Sequence, residues 1–227
     1  MRNLVWIVLD SARWDAAAAA YTPNLGRLGP MERRWSYASW TAPSHLAFLM
    51  GLLPHRDRLC VVQLSPGDGS ADVVQIPAGQ NEAPNLVKLL GDPAVTKIFH
   101  YARFDIAVLK NRFGVITGPV YCTKIASKLC RTYTDRHGLK DIVKELLNVD
   151  LSKQQQSSDW GAEKISEAQL EYAASDVLYL HDLKRHLDRM LKREGRMDIA
   201  NACFDFLKHR IDLDLLGWGE TDIFAHS

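Results

Sequence analysis

No lysine precedes Lys88, and no acidic residue stands between Glu32 and Asp57. Long apolar runs are missing too. The stretch from Leu4 to Leu9 is among the longest and is too short to cross a bilayer, so no membrane role is expected. Asp10 and Asp15 interrupt the N-terminal apolar stretch before any small-residue cleavage site, which argues against a secretory leader. The four cysteines (Cys60, Cys122, Cys130 and Cys203) lack CxxC or metal-ligand spacing, and read as reduced, mostly buried thiols of a cytoplasmic protein. A balance of 28 Lys+Arg against 27 Asp+Glu excludes a strongly basic nucleic-acid coat and leaves room for a local basic groove. Neither disorder nor a collagen-like chain fits 227 residues of which 47% are hydrophobic, and that composition supplies a sizeable core.

What is present is unevenly distributed. Residues 1–54 hold four of the six tryptophans (Trp6, Trp14, Trp35 and Trp40), with 5 basic and 3 acidic residues. The remaining chain carries a slight acidic excess. Such a shift marks a candidate boundary between segments of different origin.

The apolar run 3–10 reads as a buried strand ending in Asp10. Helices are expected over 16–21, 22–28 and 44–52, the last opening behind Pro43 and stopping near Gly51. Strands 59–64 and 71–76 flank the turn SPGDGS and predict a hairpin. Beyond it the pattern alternates: helix 85–90, strand 97–100, helix 103–113, strand 120–123, helices 125–132 and 139–147. A polar loop at 152–160 precedes two amphipathic stretches, 166–193 with breaks and 197–210, and an apolar, aromatic tail expected to dock on the body or on a partner subunit. This order predicts an α/β fold around one mixed sheet with flanking helices.

Three constellations carry candidate chemistry. Tyr172 and Asp176 lie one helical turn apart in EYAASDVLYL, a phenol beside a carboxylate suited to metal-assisted water chemistry. The same spacing suits a packed tyrosine and a solvated acid. Asp105, about one turn into its helix, is a candidate ligand or simply a favourable charge near a helix N-terminus. The loop from Lys153 to Trp160 offers lysine, glutamine and serine to phosphate and sugar, or serves as a polar connector.

Taken together, PHRDRLCVVQLS, KIFHYARFD, CTKIASKL, RHGLKDIVKELLNVDLSKQQQSSDW and YAASDVLYLHDL resemble, in order and spacing, the ribonuclease D family, the DEDD 3′–5′ exonucleases of the tyrosine subtype. The resemblance covers residues 55–227 and looks most like the short nano-RNases that degrade dinucleotides and very short oligonucleotides and assemble as ring-like octamers. It implies a ribonuclease H-like fold, and two divalent metals, Mg2+ or Mn2+. It places Asp105 at the second motif's metal-binding aspartate, and Tyr172 and Asp176 at the third motif's tyrosine and last aspartate. His100, Arg103, Lys153 and Gln156 are implied contacts to short RNA or DNA.

The family's first motif, a strand carrying Asp-x-Glu before GLxPHRDRL, is absent. The residues before Pro54 are SHLAFLMGLL, so two of four metal carboxylates are missing. Reduced or absent nuclease activity follows, and with absence, a role in nucleotide binding or oligomerisation only. Residues 1–54 instead resemble the N-terminus of the sulfatase and alkaline-phosphatase superfamily through NLVWIVLDSARWD, TPNLGRL and SYASWTAPSHLAFLMGLLPH. That resemblance makes Asp10 a metal ligand and Thr41 the nucleophile position, without the larger domain that completes such a site. The chain thus reads as a 1–54 fragment joined to a 55–227 exonuclease domain. If strand 3–10 fills the place of the missing strand, Asp10 supplies one carboxylate, and Ala12 leaves the second wanting.

Overall fold

The computed structural model describes residues 59–152, 158–219 and 222–226. The expectations for the sulfatase-like fragment, Asp10 and Thr41 lie outside these residues, as do Lys153 and Gln156.

Strands β1 (Val61–Leu64) and β2 (Asp72–Gln75) form the expected antiparallel hairpin, with Val62 opposite Val74. Its turn is closed by side chains: Ser65 Oγ donates to Ser70 O (2.7 Å), and Asp68 Oδ1 accepts from the Ser70 amide (2.9 Å). Helix α1 (Pro84–Gly91) begins with proline in its first turn and buries Leu86 and Leu90.

Strand β3 (Lys97–Phe99) and helix α2 (Ala102–Phe113) lead to β4 (Val120–Cys122), which pairs parallel with β3 and aligns Ile98 with Tyr121. Helix α3 (Thr123–Cys130) follows β4 without a linker. The parallel pair is secured at its amino ends by Lys97, whose buried ammonium donates to the carbonyls of Asp92, Val95 and Gly118, each at 2.6 Å. Three carbonyls satisfy the charge that burial would otherwise penalise.

Helix α4 (Leu139–Leu147) ends at Asn148 in the left-handed region, a usual helix stop. Helix α5 (Glu167–Leu178) starts with a capping box. The Ser166 hydroxyl accepts from the Gln169 amide (3.3 Å), and Gln169 Oε1 accepts from the Ser166 amide (3.0 Å). A break at Tyr179 separates it from α6 (Leu180–Arg193), and α7 (Met197–Leu213) runs on into a wider turn over Asp214–Trp218.

The core follows from helical periodicity. Leu180, Leu183, Leu187 and Leu191 form one stripe on α6; Ala200, Phe204, Leu207 and Ile211 form another on α7. Both join Ile142 and Val143 of α4 and Ala126 of α3 in the main cluster. A smaller cluster holds Leu86, Leu90, Leu109 and Val115, and Phe99 packs against both. The class is the expected α/β. The expected single sheet, however, is represented among the described residues by two separate two-stranded ladders, β1–β2 and β3–β4. No described helix is long and apolar enough to cross a membrane.

Candidate active site

The candidate site is built on an acid of α2 and an acid of α5, the charge of the second acting on the first. Asp105 occupies the first turn of α2. Although the residue keeps some exposed area, its carboxyl group is desolvated, and burial with the nearby charge of Asp176 pushes its pKa up to about 7. Burial also raises Asp176 on α5, to about 6. Tyr172, one turn earlier on α5, is raised to about 12, first by burial and then by Asp176. The three residues singled out in the sequence thus form one electrostatic unit. The phenol stays protonated at neutral pH, so it serves as a hydrogen-bonding group rather than a base.

Trp160 is a member of this site that sequence reasoning placed only at the end of a polar loop. Its ring lies 6.1 Å from that of Tyr172, tilted by 41°. The same segment is tied to the hairpin, with Gln75 Nε2 donating to Ala162 O at 2.7 Å. An aromatic closing a polar loop was the available signal; its partner, twelve residues on, was not evident from spacing.

His100 and Arg103, expected as substrate contacts, each have partners within the chain. His100 follows β3, and its Nδ1 shares a hydrogen bond with Thr123 Oγ1 at 2.9 Å. Burial, reinforced by the Lys124 charge, pushes its pKa down to about 3, so the ring is neutral and held. Arg103 is engaged within the chain. Nε donates to Asp214 Oδ2 and a terminal nitrogen to Asp214 Oδ1, both at 2.6 Å, and that nitrogen also donates to Gly219 O at 2.7 Å.

The donors suit a hard divalent cation in kind. Two carboxylates held partly protonated by burial gain from a positive charge placed between them. Their number is small: among the described residues no group of three or more His, Cys, Asp or Glu side chains converges.

Comparisons with known proteins bear on the family rather than on these side chains. The family model for 3′–5′ exonucleases matches residues 49–192. Ribonuclease D of Acidiphilium cryptum is 39% identical over 143 residues, which are 62% of this chain and 35% of that protein. The chain spans about a third of the length of the curated ribonuclease D relatives it matches. Solved structures of Brucella melitensis NrnC are also similar. The form with bound Mg2+ has a TM-score of 0.74 and 68% identity, covering 77% of this chain and 85% of that one. The form bound to pGG has a TM-score of 0.74 and 69% identity, covering 77% and 84%. The family model spans more than half of the chain, and the protein belongs to the ribonuclease D-like 3′–5′ exonuclease family.

Proposed function

We propose that this chain is a 3′–5′ exonuclease of the ribonuclease D type that hydrolyses phosphodiesters of dinucleotides and short oligonucleotides, at a rate reduced by loss of the Asp-x-Glu motif. The observation that carries this reading is the pairing of Asp105 with Asp176 beside a protonated Tyr172. That NrnC, similar over most of its length, binds pGG supports substrates of dinucleotide size.

In this reading Asp105 and Asp176 hold a divalent cation, Mg2+ or Mn2+. A bound cation supplies Lewis-acid polarisation of the phosphate and a more acidic water. Tyr172 orients the attacking water through its phenol, and Trp160 limits where the Tyr172 ring can swing. Lys153 and Gln156 contact the substrate backbone. The 55–227 segment carries the activity.

A second reading, nucleotide binding without turnover, is favoured by one observation: only two carboxylates meet among the described residues. Release of mononucleotides from an end-labelled dinucleotide separates the two. Slow Mn2+-dependent release that disappears in Asp176→Asn supports the nuclease. Retained binding with no release supports the binder.

A further inference from the structure

Parallel strands β3 and β4 end side by side, so the residues that follow them meet at one edge. After β3 come His100 and Tyr101; after β4 come Thr123 and Lys124. Carboxyl ends of parallel strands are where α/β folds commonly place ligands.

Tyr101 is unusual twice over. Its φ is 76°, in the left-handed region, where a bulky side chain is strained. The residue is 47% exposed and belongs to neither hydrophobic cluster of the described residues. Core packing therefore does not account for a tyrosine where glycine or asparagine would be relaxed. The Lys124 ammonium sits 4.3 Å from the centroid of the Tyr101 ring. Lys128, one turn further along α3, is exposed. Partial burial, and then the Lys128 charge, hold Lys124 below the usual ammonium range, a situation that a nearby anion relieves. Tyr101 is also the residue that opens α2, one turn ahead of Asp105.

We infer that the exposed Tyr101 ring is a stacking surface for a nucleobase of the short substrate, with Lys124 and Lys128 receiving the adjoining phosphate. This rests on the exonuclease reading and names a base contact within it. A flat ring accepts any base, and the paired ammonium groups accept a phosphate regardless of sequence, so the site selects for a nucleotide without selecting which.

The test uses the full chain with Mg2+ and a fluorophore-labelled, 5′-phosphorylated dinucleotide, read by anisotropy alongside thermal melting. Tyr101→Gly removes the ring and relieves the backbone. Affinity is expected to fall about tenfold, while the melting temperature stays level or rises by about 2 °C. Tyr101→Trp is expected to keep affinity. Lys124→Gln is expected to weaken binding and lower the salt slope by about 0.7. Unchanged affinity in Tyr101→Gly, or weakened affinity accompanied by a marked fall in melting temperature, overturns the inference. If the unmodified chain itself binds no dinucleotide, the exonuclease reading fails as well, an outcome distinct from binding that ignores Tyr101.

Discussion

Arg103 and Asp214, 111 residues apart in sequence, form a two-pronged ion pair with both nitrogen–oxygen distances at 2.6 Å. Arg210 joins it, 3.0 Å from Asp214 Oδ1, and both arginines donate to Gly219 O. The clasp fastens the turn after α7 to the helix that carries Asp105. Asp214→Ala leaves two arginines without their carboxylate and is expected to cost about 2 kcal/mol. Urea denaturation checks the magnitude, and faster proteolytic clipping near residue 214 checks the location. Denaturation and clipping unchanged from the unmodified chain would show the clasp to be incidental.

The titrating groups predict stability changes of opposite sign. His100, pushed down to about 3, contributes stability above its ordinary value near 6.5, and that stability is lost as pH falls toward 3. Asp105 and Asp176, raised to about 7 and 6, bind more protons folded than unfolded, so the metal-free chain loses stability as pH rises from about 4 to about 7. Urea midpoints measured across pH 4–8 in chelator are expected to show that decline and to flatten in Asp105→Asn and Asp176→Asn. Mg2+ is expected to restore stability most at the alkaline end. Parallel curves for the unmodified chain and both variants would contradict the paired burial.

Two glycines of the hairpin turn share a left-handed backbone and differ in surroundings. Gly67 has φ 87°, and a Cβ there would lie 2.7 Å from the His181 ring; Gly69 has φ 93° with nothing within 4 Å. Gly69→Ala is expected to cost about 1 kcal/mol, the conformational term alone. Gly67→Ala adds overpacking against His181, a further cost of about 1–3 kcal/mol. Equal midpoints for the two variants would mean the turn moves away from α6 freely.

Much of this arrangement was legible in the sequence. Residues 139–147 were expected as a helix and form α4 with the same bounds, because the apolar spacing, Gly138 before it and Asn148 after it agree. The hairpin followed from SPGDGS between two β-branched runs. Tyr172 and Asp176 were singled out by a helical spacing, and Asp105 with them by a family pattern; in the fold the Asp176 charge acts on both of the others. Long-range pairing was not legible. Nothing near Arg103 signals Asp214, 111 residues away. The strain at Tyr101 is a backbone property that residue type argues against. The division into two ladders among the described residues is likewise a matter of pairing between distant segments, which local patterning does not fix.

The most direct test of the proposed function is the release of mononucleotide from an end-labelled dinucleotide in Mn2+, compared among the unmodified chain, Asp105→Asn and Asp176→Asn. Slow release by the unmodified chain, abolished by either substitution, is the predicted result. Release that persists in both variants would contradict a site built on Asp105 and Asp176.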